Sequence, residues 1–93
     1  MFHRLNNRDL ESDEGFAFKC VHRFYYHYIE GDKVLKIFVE PIKNGLEVIF
    51  ESQPKWEEPS EKDEITEAKA IQIESRVRES LTFMGIKHII RKK

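Results

Sequence analysis

Two short breaks, Gly31-Asp32 and Asn44-Gly45, divide the middle of the chain into runs whose side chains can be checked against one another. Before the first break stands FAFKCVHRFYYHYI, residues 16–29. KVLKIFVEPI, 33–42, lies between the breaks, and LEVIFES, 46–52, follows the second. All three are rich in β-branched and aromatic residues and read as strands. Asn-Gly is the strongest short hairpin signal, because a type I′ turn needs positive φ at both central positions. With Gly31-Asp32 as a two-residue loop, Tyr28 pairs with Leu35, Tyr26 with Ile37 and Phe24 with Val39. With Asn44-Gly45 as the second loop, Val39 meets Phe50 and Pro41 meets Val48. Both loops put the same residues on the same face, an agreement that a slip of one residue would destroy. The expected inner face is Phe16, Phe18, Cys20, Phe24, Tyr26, Tyr28, Leu35, Ile37, Val39, Leu46, Val48 and Phe50.

The flanks complete the expected architecture. Residues 1–15 form a polar N-terminal arm, a short helix or a loose tail, with Phe2, Leu5 and Leu10 as apolar anchors. Residues 16–93 form a single α+β domain. After the third run, QPKWEEP is a linker with two prolines, and Trp56 covers the edge of the core there. Ser60 is placed as an N-cap, with Glu61, Asp63 and Glu64 in a first turn where they favour the helix dipole. Ala70, Ile73, Val77, Leu81 and Met84 follow at helical spacing, and Gly85 stands where a C′ glycine belongs. One long helix is therefore expected over 61–84 and a fourth, C-terminal strand over 86–91. The order is β-β-β-α-β: a two-layer fold with an antiparallel meander of three strands, the helix on its inner face, and the last strand placed beside the first.

Composition narrows the function. The 93 residues suffice for one domain with one modest core. The chain is 40% hydrophobic and 12% aromatic, which argues against disorder. Its 16 basic and 17 acidic residues leave a net charge of −1, so a polyanion would meet attraction only at a local patch. One cysteine, Cys20, cannot form an internal disulfide and fits a reducing, cytoplasmic setting. The first residues, MFHRLNNRDLESDEG, lack the apolar core of a signal peptide, and no run approaches a membrane span, so no membrane partner is expected.

The stretch HRFYYHY, residues 22–28, looks like chemistry, but alternation divides it. His22, Phe24, Tyr26 and Tyr28 point toward the helix, and buried aromatics supply much of a small domain's apolar area. The outward face carries the candidate binding residues: Lys19, Val21, Arg23, Tyr25, His27, Lys36, Phe38 and Ile49. A solvated antiparallel face would be mostly polar, whereas this one is rich in apolar side chains, and such patches mark contacts. Its basic side (Lys19, Arg23, Lys36) and acidic side (Glu40, Glu47, Glu51) suit two-fold pairing or a protein partner. A single-stranded nucleic acid stacked on Tyr25 and Phe38 is the second reading, since exposed rings beside cations are what it requires. The acidic run 57–67 gives the third: an inhibitor or immunity-type protein that occupies a basic site.

Enzymatic and metal chemistry find little here. There is no phosphate-binding glycine loop or nucleophile elbow, and the chain has only four glycines. No cofactor signature is present. Cys20 and His22 are spaced as a ligand pair that His88 would join if the last strand lay beside the first. Yet no CxxC or HxxxH accompanies them. The sequence therefore points to a non-enzymatic interaction or regulatory protein.

Overall fold

In the computed structural model, residues 1–6 and 9–93 are described. They form strands β1 (Phe2–Arg4), β2 (Asp9–Ser12), β3 (Phe16–His22), β4 (Tyr25–Glu30), β5 (Lys33–Ile42) and β6 (Gly45–Phe50), then helix α1 (Glu67–Phe83) and strand β7 (His88–Lys92). The strands lie side by side in chain order in one sheet, antiparallel except for the parallel β6–β7 pair. This corrects the expected architecture. Among the described residues the fold is a seven-stranded mixed sheet with one helix, dominated by sheet, and not a three-strand meander with a fourth strand.

Three local causes account for the difference. First, residues 16–29 are two strands. The chain reverses at Arg23-Phe24, with His22 opposite Tyr25 and a register shift between Lys19 and His22. No glycine, proline or Asx residue marks this turn. The His22 ring supplies what an Asx side chain usually does: its Nδ1 accepts the Phe24 N–H at 3.1 Å. Second, the arm extends the sheet. Leu10 and Ser12 point inward and are buried opposite Phe18 and Phe16. Phe2 packs on Phe16 and Phe83, with ring centroids 6.0 and 5.2 Å away. Third, β2 occupies the outer edge of β3, so β7 pairs with β6 instead of the first strand.

The Gly31-Asp32 hairpin has the expected register, with Glu30 opposite Lys33 and Tyr26 opposite Ile37. The next loop is displaced by one residue. It consists of Lys43 and Asn44, and Val39 faces Val48, not Phe50. Displacing a two-residue loop by one position shifts every pairing by two, so each side chain keeps its face. Asn44 supplies the positive φ, 70°. Gly45 belongs to β6 and is small for another reason. A Cβ there would lie 2.9 Å from the Lys87 carbonyl carbon and closer still to its oxygen. That oxygen accepts the Leu46 N–H at 3.0 Å, joining β6 to the approach of β7.

The inner face is closed by α1. Phe16, Phe18, Tyr26, Tyr28, Leu35, Ile37, Val39, Val48 and Phe50 form one core with Ile73, Val77 and Leu81. Phe24 does not join them: in the hairpin turn its side chain is 47% exposed. The helix begins at Thr66, not Ser60. Thr66 Oγ1 accepts the Lys69 N–H at 3.1 Å, and Ile65, just before the cap, packs against the core. Residues 57–63 form turns instead. Trp56 is buried against Tyr28, where it closes the core beside the linker. Among the described residues no helix is long and apolar enough to cross a membrane.

Candidate interaction face of the sheet

Strand register sets the opposite, helix-free face in rows. One row runs Asp9, Lys19, His27, Lys36 from β2 to β5. The next runs His22, Tyr25, Phe38, Ile49, Arg91 from β3 to β7. A third holds Glu40, Glu47 and Ile89. At a strand spacing of about 4.8 Å the middle row is about 19 Å long. It is a band of rings and aliphatic carbon between a basic row and an acidic one.

The rings in this band are partly committed to each other. His22 stacks on Tyr25 at 4.7 Å with planes 10° apart, and Lys36 Nζ sits 4.4 Å from the Tyr25 centroid. These neighbours reach Tyr25 from β3 and β5, on either side of β4. Phe38 meets Tyr25 edge-on at 6.1 Å and is itself 46% exposed. Phe24 and Phe38 line an open groove of about 370 Å³ with Val39 and Ile49, and Glu40, Glu51 and Lys93 complete its rim.

Of the residues expected on this face, Tyr25, Phe38 and Ile49 share the middle row, and Lys36 reaches the Tyr25 ring from the adjacent row, which also holds Lys19 and His27. Val21 is exposed near the hairpin end, and Arg23 lies in the turn, its guanidinium 5.3 Å from the Phe24 centroid. Two corrections concern HRFYYHY: His22 and Phe24 are exposed side chains of this region and not part of the core. Phe24 is the main residue that sequence reasoning missed, because unbroken alternation gave no sign of the turn that exposes it. Ile89 and Arg91 were also missed. The alternation in HIIRK would have found them had β7 been placed beside β6.

Electrostatics divide the face further. Burial lowers the His27 pKa, Lys36 lowers it again, and Glu57 opposes both. Neutral His27 leaves Lys19 and Lys36 as the cations of the basic row. On the acidic side, Arg91 stands 3.4 Å from Glu47.

The helix is held away from this face by a polar clamp. Tyr28, fully buried, donates its hydroxyl to Glu30 at 2.7 Å, and Arg76 donates to both Tyr28 Oη and Glu30 at 2.8 and 3.0 Å. Lys69 donates to the other Glu30 oxygen at 3.0 Å. Burial alone would raise the Glu30 pKa. The hydrogen bonds from Tyr28 and Lys69 and the charges of Lys69 and Arg76 outweigh it and hold the carboxyl below its ordinary value. A depressed folded-state pKa stabilises the protein above the ordinary value of 4.5 and loses that contribution as pH falls through the folded value. Urea melts should therefore show wild type weakening below that point. Glu30→Gln should be less stable at neutral pH and should lose less on acidification. Parallel pH curves for the two proteins would contradict this role.

The ligand set considered from the sequence, Cys20 and His22 with His88, is not brought together. His88 lies on β7, separated from Cys20 on β3 by three strands. Cys20 Sγ points to the His22 carbonyl at 3.8 Å. Among the described residues no group of three or more His, Cys, Asp or Glu is placed to hold a metal ion. The acidic segment lies in exposed turns before α1, where Asp63 pairs with Lys33 at 3.5 Å. No protein-family model, curated protein or solved structure matches this chain.

Proposed function

We propose that this is a non-enzymatic interaction protein that binds another protein chain through the helix-free face of its sheet. The observation that carries the reading is the groove between Phe24 and Phe38. Two rings close to half exposed, with Ile49 beside them, form an apolar hollow on a face that α1 leaves uncovered. Exposed aromatics framed by charged residues form an anchor with a polar rim, the usual anatomy of a protein contact.

Two features rank nucleic acid second. Base stacking needs an open ring face, and Tyr25 already has His22 and Lys36 against it. Glu40 and Glu51 on the groove rim oppose a phosphate backbone.

The test is a benzophenone amino acid placed at Phe38 and, as control, at Ile71 on the outer side of α1. The expected result is protease-sensitive, nuclease-resistant adducts from position 38 in living cells and none from position 71. Nuclease-sensitive adducts would favour the polynucleotide reading. Absence of adducts from position 38 would contradict both.

A further inference from the structure

We infer that the partner of this face is a second copy of the chain, packed sheet to sheet with its β5 antiparallel to the first. The inference rests on the reading of the helix-free face as a protein contact and names its occupant. What carries it is the pattern that β5 shows on that face: Val34, Lys36, Phe38, Glu40, Ile42. Read from Phe38 outward, the strand has lysine two residues one way and glutamate two residues the other. Four residues out it has valine one way and isoleucine the other. Equal spacing along a strand means equal distance from Phe38, about 6.8 Å for each step of two residues.

Rotate a second copy by half a turn about an axis that lies in the interface, along the Tyr25–Phe38–Ile49 row. Phe38 then meets Phe38, Lys36 of each copy meets Glu40 of the other, and Val34 meets Ile42. A two-fold contact requires such self-complementarity, and β5 supplies it at five successive outward positions. An axis along the strand would instead set Lys36 on Lys36. On β6 the chosen rotation brings Glu47 toward Glu51 of the copy. Arg91, 3.4 Å from Glu47, and Lys93, on the groove with Glu51, carry the compensating charge. The molecule's larger extents, 36 and 29 Å, leave room for the roughly 800 Å² per partner that a standard interface buries.

The test uses charge reversal and mixing, read by sedimentation velocity across concentration. Wild type is expected to dimerise. Lys36→Glu and Glu40→Lys, each alone, set two like-charged pairs against each other and should weaken the dimer about 10- to 100-fold. An equimolar mixture of the two variants should dimerise about as well as wild type, because both pairs in the mixed dimer are again opposite in sign. Mixing cannot rescue a variant that merely fails to fold. A wild type that stays monomeric overturns the second copy alone, since adducts of Phe38 with a different protein test the broader reading separately. A dimer that neither reversal weakens, or reversals that mixing does not rescue, overturns the two-fold arrangement.

Discussion

Leu81→Ala should lower the free energy of unfolding by about 2–5 kcal/mol in a urea melt. Leu81 is fully buried where α1 crosses the sheet, in the same core as Val48 and Phe50. Removing its terminal isopropyl group leaves a cavity, and the lining can relax little because Val77, one turn earlier on the helix, is also fully buried. Ile71 is the control. It lies on the outer side of the same helix, 61% exposed, so Ile71→Ala should change stability by less than about 0.5 kcal/mol. Equal losses would mean that α1 is buried on both sides, and the account of one covered and one open sheet face would have to be given up.

The second large effect is expected at Gly45. Its φ is not in the left-handed region, so an L side chain there meets no backbone penalty of that kind. The obstacle is space: a Cβ would press on the Lys87 carbonyl that accepts the Leu46 N–H. Gly45→Val should cost at least the roughly 1–3 kcal/mol typical of overpacking. The loss should also be local. Amide exchange in β7 should speed up more than in β3 or β4, because β6 and β7 must part to admit the methyl groups. Gly31 provides the contrast. Its φ is 64° and nothing lies within 4 Å of the place a Cβ would occupy, so Gly31→Asn, with a residue that tolerates this conformation, should cost less than about 1 kcal/mol. A Gly45→Val protein with wild-type stability and an undisturbed β7 would contradict the close approach described for that edge.

The parts of this fold that could be read from the chain were those governed by alternation. The faces of β5 and β6 were legible even though the loop between them was misplaced, because a shift of two residues preserves which side each residue points to. The same rule hid the β3–β4 turn. Phe16 and Phe18 before it and Tyr26 and Tyr28 after it lie on the same face, so the pattern runs on as if the chain never reversed. His22 makes the turn with a ring nitrogen, a role that residue type does not announce. β1 and β2 were obscure because a strand of three residues with one half-buried side chain, or of four with two buried ones, has too short a pattern to detect. The helix start was obscure because Ser60 and Thr66 are both acceptable caps, and the packing of Ile65 decides between them. At the candidate site, Tyr25, Lys36, Phe38 and Ile49 were legible from alternation. Phe24 was not, because its exposure follows from the hidden turn.

We propose that the helix-free face of the sheet makes the protein's contacts and that the outer side of α1 does not. Methyl relaxation by a soluble paramagnetic agent reads this out on Ile42 and Ile89 of the sheet face and Ile71 of the helix, all exposed in the single chain. In dilute solution all three should relax fast. As protein concentration rises, or on addition of a partner captured at Phe38, the sheet-face methyls should become protected while Ile71 stays open. Protection of Ile71 with the sheet-face methyls still exposed would put the contact on the outer side of α1 instead.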